Sequence, residues 1–246
     1  MQAGSHQYRD LTITPINKQE DLVVSCDISA GFGDRELDIV KCSPEISVSF
    51  TLRTAMLELI SYGATPINVI NTLSVEYDPT GIKVIDQMKQ DLVEMGYPDL
   101  SINGSTEDNL DIQMTTVSVT VIGRAAHKSF ENTQDLAVFQ LGVPLMGNEV
   151  LANLDNIFKV KQAIDLRREK AVVDMIPVGS KGVGYELGVL ANSDDLKLEL
   201  ANGIDQSQIN KTAGPSTVLL VAVANNDADD FSKNHPELKQ IARLRK

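Results

Sequence analysis

The sequence predicts an α+β fold in two halves. Three observations carry this expectation. Short β-branched runs alternate with amphipathic helical segments, a polar stretch at His127–Asp135 interrupts both patterns, and turns rich in glycine and acid separate the elements. The expected domains are residues 1–126 and 127–246.

Asp21–Ile28 (DLVVSCDI) reads as the first strand, followed by a polar turn at Gly31-Phe32-Gly33-Asp34-Arg35-Glu36. Ser43-Pro44-Glu45 starts a helix, with a hydroxyl at the cap, proline in the first turn and an acid at the positive dipole end. Its apolar face is Ile46, Phe50, Leu57 and Ile60, and Gly63 is the stop. Ile67–Val75 is a second strand. Asp78-Pro79 opens a second helix along Val84, Ile85, Met88, Leu92 and Met95, closed by Gly96. A short strand at Leu100–Ile102 leads into a polar turn at Asn103–Asn109, and Gln113–Ile122 alternates as a strand.

In the second half, strands are expected at Leu136–Leu141, Val172–Val178, Leu196–Leu200 and Ser216–Ala224. Helical segments are expected within residues 148–168 and after Gly179-Ser180-Lys181-Gly182. The tail from His235 reads as a short basic amphipathic helix.

Composition excludes several classes. The 246 residues carry 34 acids against 22 Lys and Arg, a formal charge of −12, which is the wrong sign for a phosphate-backbone binder. With no Trp and eleven other aromatics, base-stacking surfaces are scarce, so nucleic acid is not an expected partner. No apolar run approaches the roughly 18–20 residues of a membrane span, and Met1–His6 has no signal-peptide pattern. Cys26 and Cys42 do not form a CxxC pair or a disulfide framework, so a reduced, cytoplasmic protein is expected.

Candidate chemistry concentrates in a few places. Asp27 at a strand end, ahead of Gly31, Gly33 and Arg35, suits a metal bridging phosphate oxygens with amides close by, although such a string also occurs as an ordinary turn. Gly104-Ser105-Thr106-Glu107-Asp108 offers hard oxygen ligands of the kind Mg2+ selects, or a solvated loop. Glu58 lies among helix apolar residues, either at the helix edge or pointing into a site. Gly179, Ser180, Lys181 and Gly182 precede a helix and suit an anion clamp, but lack Walker A spacing. Thr212–Ser216 is a facing wall or a turn before a strand. His6, His127 and His235 have no zinc spacing, and no GxSxG is present.

In order, these pieces resemble the aminoimidazole ribonucleotide synthetase-like (PurM-like) ATP-binding superfamily. The matching stretches are VVSCD ending at Asp27, GFGDRELD (31–38), LELISYGATP (57–66), INGSTEDN (102–109), TTVSVTVIG (115–123), the run 172–191 and TAGPSTVLLVAV (212–223). The resemblance implies an N-terminal mixed sheet with helices on one face that forms a barrel across a homodimer. It also implies a short C-terminal α+β domain, with ATP in interface clefts and Mg2+ on the triphosphate. It implies Asp27, Glu58, Glu107 and Asp108 as metal ligands; Asp27 and Lys181 are the candidate catalytic residues. Gly31, Gly33, Arg35, Gly104, Ser105, Thr106, Gly179, Ser180 and Gly182 are the candidate cofactor-binding residues. Glu58 stands where many members carry Asp, and Ser105 where they carry an acid.

The GSTEDN and PVGSKG strings are similar to a divergent branch that includes α-ribazole kinases of cobalamin (vitamin B12) salvage. The leading expectation is therefore an ATP- and Mg2+-dependent kinase of a small riboside, with Asp38 a possible general base by position alone. The alternatives are ATP-dependent synthetase or dehydratase chemistry, and a non-catalytic nucleotide-binding protein.

Overall fold

The computed structural model describes residues 4–127, 134–193 and 195–246, so part of the expected boundary stretch His127–Asp135 lies outside the described residues. The chain divides into two compact units, Met1–His127 and Lys128–Lys246. The α+β class is the one observed.

Unit 1 contains β1 (His6–Tyr8), β2 (Leu11–Pro15), β3 (Glu20–Ala30), β4 (Phe32–Gly33), β5 (Val40–Lys41), α1 (Pro44–Tyr62), β6 (Thr65–Leu73), α2 (Ile82–Met95), β7 (Ser101–Thr106) and β8 (Thr116–Ala126). Its mixed sheet has the order β1-β2-β3-β8-β6-β7. Strand β8 is antiparallel to β3 and β6, and β6 is parallel to β7. The carboxyl ends of β3, β6 and β7 therefore share one edge. The β1–β2 hairpin turn points the same way, because both β1–β2 and β2–β3 are antiparallel.

Alternation decides which side each residue takes. Val23, Val69, Val117, Val119 and Val121 are buried with Leu52, Ala55, Met56 and Leu59 of α1, and the Ser25 hydroxyl donates to the Ala55 carbonyl at 2.7 Å, tying α1 to β3. The other face presents Thr12, Cys26, Ile28, Thr72 and Ser105 as exposed residues in register.

Helix α1 begins at Pro44 with Glu45 in its first turn, but Ser43 makes no side-chain cap bond; its carbonyl accepts the Ile46 and Ser47 amides instead. Gly63 ends the helix at φ +86°. The second helix starts later than the sequence suggests. Asp78 is extended (φ −115°, ψ 117°) ahead of a cis bond to Pro79, inside a wide helical turn Tyr77–Gly81, and regular α-helix begins at Ile82. The expected turn at Asn103–Asn109 is strand as far as Thr106.

Unit 2 contains β9 (Leu136–Gly142), α3 (Asn148–Leu151), α4 (Val160–Arg167), β10 (Val172–Pro177), α5 (Val183–Ser193), β11 (Lys197–Leu200), α6 (Gln206–Ile209), β12 (Val218–Ala224), α7 (Ala228–Asn234) and β13 (Lys239–Arg245). Its antiparallel sheet has the order β10-β12-β9-β13-β11. Leu187 and Leu190 of α5 pack with Ile176, Leu220 and Leu244 in its core. The tail is an interior strand, not the helix expected. A register shift between Gln240 and Ala242 lets Ile241, Ala242 and Leu244 all bury, which imitates helical spacing in the sequence.

Candidate active site

Asp27 is on the helix-covered face of β3, two residues beyond Ser25, and half-buried. Burial pushes its carboxyl from an ordinary 3.8 up to about 6, against the Ile28 amide and Thr54 hydroxyl bonds that lower it, while the charge of Asp10 adds to the rise. The Thr54 hydroxyl that bonds Asp27 also lies 3.2 Å from the Phe50 carbonyl. Asp10 belongs to the β1–β2 turn, brought alongside Asp27 because Leu11 pairs with Ser25. No motif singles out Asp10; the alternation of Leu11-Thr12-Ile13 before Pro15 is the sign of a strand there.

The glycine turn is built differently from the expectation. The Gly31 amide, expected to face a phosphate, donates to the Thr115 carbonyl at 2.9 Å, and its own carbonyl accepts from Ile39 and Val40. Gly31 takes φ +76° to do this. At Gly33 a Cβ would collide with Thr115 Oγ1 and lie 2.5 Å from Asp38 Oδ2, so this glycine is needed for close packing. Asp38, placed as a possible general base by position alone, holds this turn together. It is 5% exposed and accepts from the Thr115 amide (2.8 Å), the Thr115 hydroxyl (2.8 Å) and the Arg35 amide (2.9 Å).

Arg35 is ion-paired with Glu76, a residue that no local motif marks. Burial raises the Glu76 carboxyl, but the Thr80 hydroxyl at 2.5 Å and the Arg35 guanidinium outweigh it and hold it below the usual range. Asp108 accepts from Thr106 Oγ1 at 2.6 Å and from the Tyr77 amide at 2.8 Å. Those two bonds, the Thr106 one first, keep its carboxyl low. Glu107 accepts from the Asn109 amide at 2.8 Å. Gly104 lies against the Asn71 carbonyl, where a Cβ would collide, and Ser105 is exposed on the opposite face.

The sheet edge thus gathers Asp10, Asp27, the glycine turn, the Arg35–Glu76 pair and the Glu107–Asp108 turn. Glu58 is half-buried in α1, one turn beyond Thr54 on the same helix face. The four expected metal ligands do not converge: among the described residues no group of three or more His, Cys, Asp or Glu side chains is placed to hold a metal ion. What the edge does hold is one partly desolvated carboxylate, Asp27, close enough to Asp10 for that acid's charge to act on it. Mg2+ is usually held by one or two protein carboxylates, with waters and substrate phosphates completing its shell.

In unit 2, the Gly179 carbonyl accepts from Gly182 (3.3 Å) and Ala213 (3.2 Å), so the turn folds on itself and on the 209–213 segment. Ser180 is exposed, and Lys181 Nζ stands 4.1 Å over the Tyr185 ring. Gly182 takes φ +82°, and a Cβ would lie 2.8 Å from the Lys211 carbonyl oxygen and 2.9 Å from the Asn210 carbonyl carbon. Gly182→Ala is therefore expected to destabilise the protein by about 2–4 kcal/mol, read as a lower urea midpoint with an unchanged slope. Gly182 thus shapes the turn, and Lys181 and Ser180 are its outward-facing groups.

No family model matches the chain, and no curated protein matches it. Solved structures do. A thiamine monophosphate kinase from Aquifex aeolicus aligns at TM-score 0.63 and 15% identity, covering 98% of this chain and 90% of that one. A second structure, of AaThiL complexed with AMPPCP and TMP, gives TM-score 0.63 and 14% identity over 96% and 84%. The hydrogenase maturation protein HypE of E. coli aligns at 0.61 and 13%, over 90% and 79%. T. maritima PurL complexed with ATP aligns at 0.62 and 12%, over 95% of this chain and 42% of that one. The chain shares their fold. This is the PurM-like α+β architecture expected from the motif order. No helix among the described residues is long and apolar enough to cross a membrane.

Proposed function

We propose that this protein is an ATP- and Mg2+-dependent phosphotransferase acting on a small nucleoside-like alcohol, with α-ribazole the first substrate to test. The observation that carries the reading is Asp27, a half-buried acid held near Asp10 at the edge where three strands end. Support comes from the fold, shared with a kinase solved with a nucleotide analogue and with a protein solved with ATP.

Phosphoryl transfer needs positioning and charge neutralisation more than covalent help from the protein. Asp27 and Asp10 would hold Mg2+, which when bound would neutralise triphosphate oxygens. The chain's own contribution is a preset edge. Asp38 fixes the glycine turn, Glu76 fixes Arg35, and Asp108 fixes the segment entering α2. Glu58, Glu107 and Asp108 stay candidates for outer contacts to the ion, and Gly104, Ser105 and Thr106 for contacts to the nucleotide. Lys181, over Tyr185, is the candidate cation for the substrate or its phosphate. The two expected domains would act as a nucleotide domain, 1–126, and a substrate domain, 127–246. Two copies would join through the face of the unit 1 sheet that exposes Ile28.

Incubation with Mg-ATP and a panel of ribosides, followed by phosphorus NMR, tests the assignment. A new phosphomonoester resonance together with ADP is the expected result. ADP and inorganic phosphate, with no phosphorylated organic product, would favour the second reading, synthetase or dehydratase chemistry. HypE and PurL keep that reading in view by sharing the fold to the same degree.

A further inference from the structure

Helix α1 is buried on nearly all sides. From Thr51 to Tyr62 every residue is buried except Thr54 and Glu58, which are half-buried and one turn apart. Strand β3 opens at the matching level. On its helix-covered face Asp21, Val23 and Ser25 are buried, whereas Asp27 and Ser29 are half-buried. The bond from Ser25 Oγ to the Ala55 carbonyl, 2.7 Å long, fixes how the two elements line up. Solvent therefore reaches the helix-covered side of the sheet beside Asp27, and Thr54 is the α1 residue that bonds the acid there.

A threonine hydroxyl within a helix commonly donates to the carbonyl four residues back. Thr51 does so, at 2.8 Å from the Ser47 carbonyl. At Thr54 the corresponding distance to Phe50 is 3.2 Å, and this hydroxyl has a second acceptor in Asp27. A hydroxyl carries one proton to donate. The Phe50 carbonyl does not depend on it, because a carbonyl inside a helix already takes the amide four residues on. The proton can therefore serve the carboxylate without orphaning a buried acceptor. Asp27 also accepts from the Ile28 amide. One donor comes from β3 and the other from α1, so the carboxylate is held by two elements at once.

Building on the nucleotide reading above, we propose that Thr54 is a positioning residue of this site, its hydroxyl holding the Asp27 carboxylate in the orientation that meets the cation of the Mg-nucleotide. Thr54 acts through Asp27 rather than on the nucleotide. Two donors take up part of the carboxylate's lone pairs and leave the rest for an ion. A ligand fixed before the ion arrives loses less freedom on binding it. Groups that orient a metal ligand in this way influence affinity nearly as strongly as the ligand does.

Three variants separate the hydroxyl from the methyl group. Thr54→Val keeps the shape and loses the hydroxyl, Thr54→Ser does the reverse, and Thr54→Ala loses both. Calorimetric titration of the full chain with Mg-ATP should show binding about tenfold weaker in T54V and T54A, with T54S close to the parent. Titration with ATP in EDTA should not distinguish T54V from the parent, because no cation is present for Asp27 to meet. Weak Mg-ATP binding by T54S with normal binding by T54V would overturn the proposal, by assigning Thr54 to packing. Equal losses with and without Mg2+ would also overturn it, since the effect would not pass through the cation. Equal affinity of all three variants and the parent for Mg-ATP would overturn it while leaving the nucleotide site standing. If the parent does not bind Mg-ATP, the nucleotide reading fails and the role of Thr54 fails with it.

Discussion

Asp27→Asn should remove Mg-ATP-dependent turnover by a factor on the order of 100 or more while making the protein more stable near pH 7. The two effects share one cause. A half-buried carboxylate near a second acid is poorly solvated and repelled, and the folded protein pays for ionising it unless a cation arrives. Asparagine has the same shape with no charge to desolvate, so the fold gains. Asparagine is also a far weaker Mg2+ ligand, so the site loses. Residues kept for function at a cost in stability behave in this way.

The pH dependence follows with a definite sign. Asp27 titrates near 6 when folded, against 3.8 ordinarily, so between those values the folded chain holds more protons than the unfolded one. Stability from this residue is therefore highest below about pH 4, declines as pH rises to about 6, and is flat above. The full decline is at most about 3 kcal/mol, and partial exposure of the side chain reduces it. Urea titrations from pH 4 to 7.5 should show this slope in the parent and not in D27N. Mg-ATP binding should run the opposite way, weakening below pH 6 as Asp27 takes up a proton, with the midpoint moving lower as Mg2+ is raised. If D27N keeps the parent's slope and the parent's turnover, Asp27 is not the residue on which the site depends.

What could be read from the sequence was set by the range of the interactions involved. Asp27 was accessible because its strand alternates in a regular way, and the fold class because helices and strands carry different periods. Asp10 was not, because its link to Asp27 runs through the pairing of Leu11 with Ser25, and no local pattern announces a register. The turn that delivers it uses arginine where a glycine or asparagine would have signalled a hairpin. Glu76 was missed for a similar reason: its partner Arg35 is 41 residues away, across the turn and helix that separate the strands. The glycine turn misled in the opposite direction. Glycines serve close packing and ligand approach equally well, and only the positions of Thr115 and Asp38 show that packing is the use at Gly33.

The same packing makes Asp38 a residue whose loss should cost the fold heavily. Asp38→Ala removes the acceptor for three donors at once: the Thr115 amide, the Thr115 hydroxyl and the Arg35 amide. Thr115 is fully buried, so its amide has no water to turn to. Bonds to a charged acceptor contribute about 1.5–3 kcal/mol, and an orphaned buried donor costs about 1–3 kcal/mol. With partial relaxation, a loss of about 3–5 kcal/mol is expected in urea unfolding followed by circular dichroism. Asp38→Asn keeps an oxygen for the Thr115 amide but sets its own NH2 against the remaining donors, and should cost about half as much. Gly33→Ala tests the geometry independently, because its added methyl would meet Asp38 and Thr115 side-chain oxygens. Removing the Asp38 carboxyl makes part of the room that methyl needs. The double variant G33A/D38A should therefore be less damaging than the sum of the two single changes, by about 1 kcal/mol or more. Strict additivity would mean that Gly33 and Asp38 do not share one packed site, and that the turn ahead of Arg35 is held by something else.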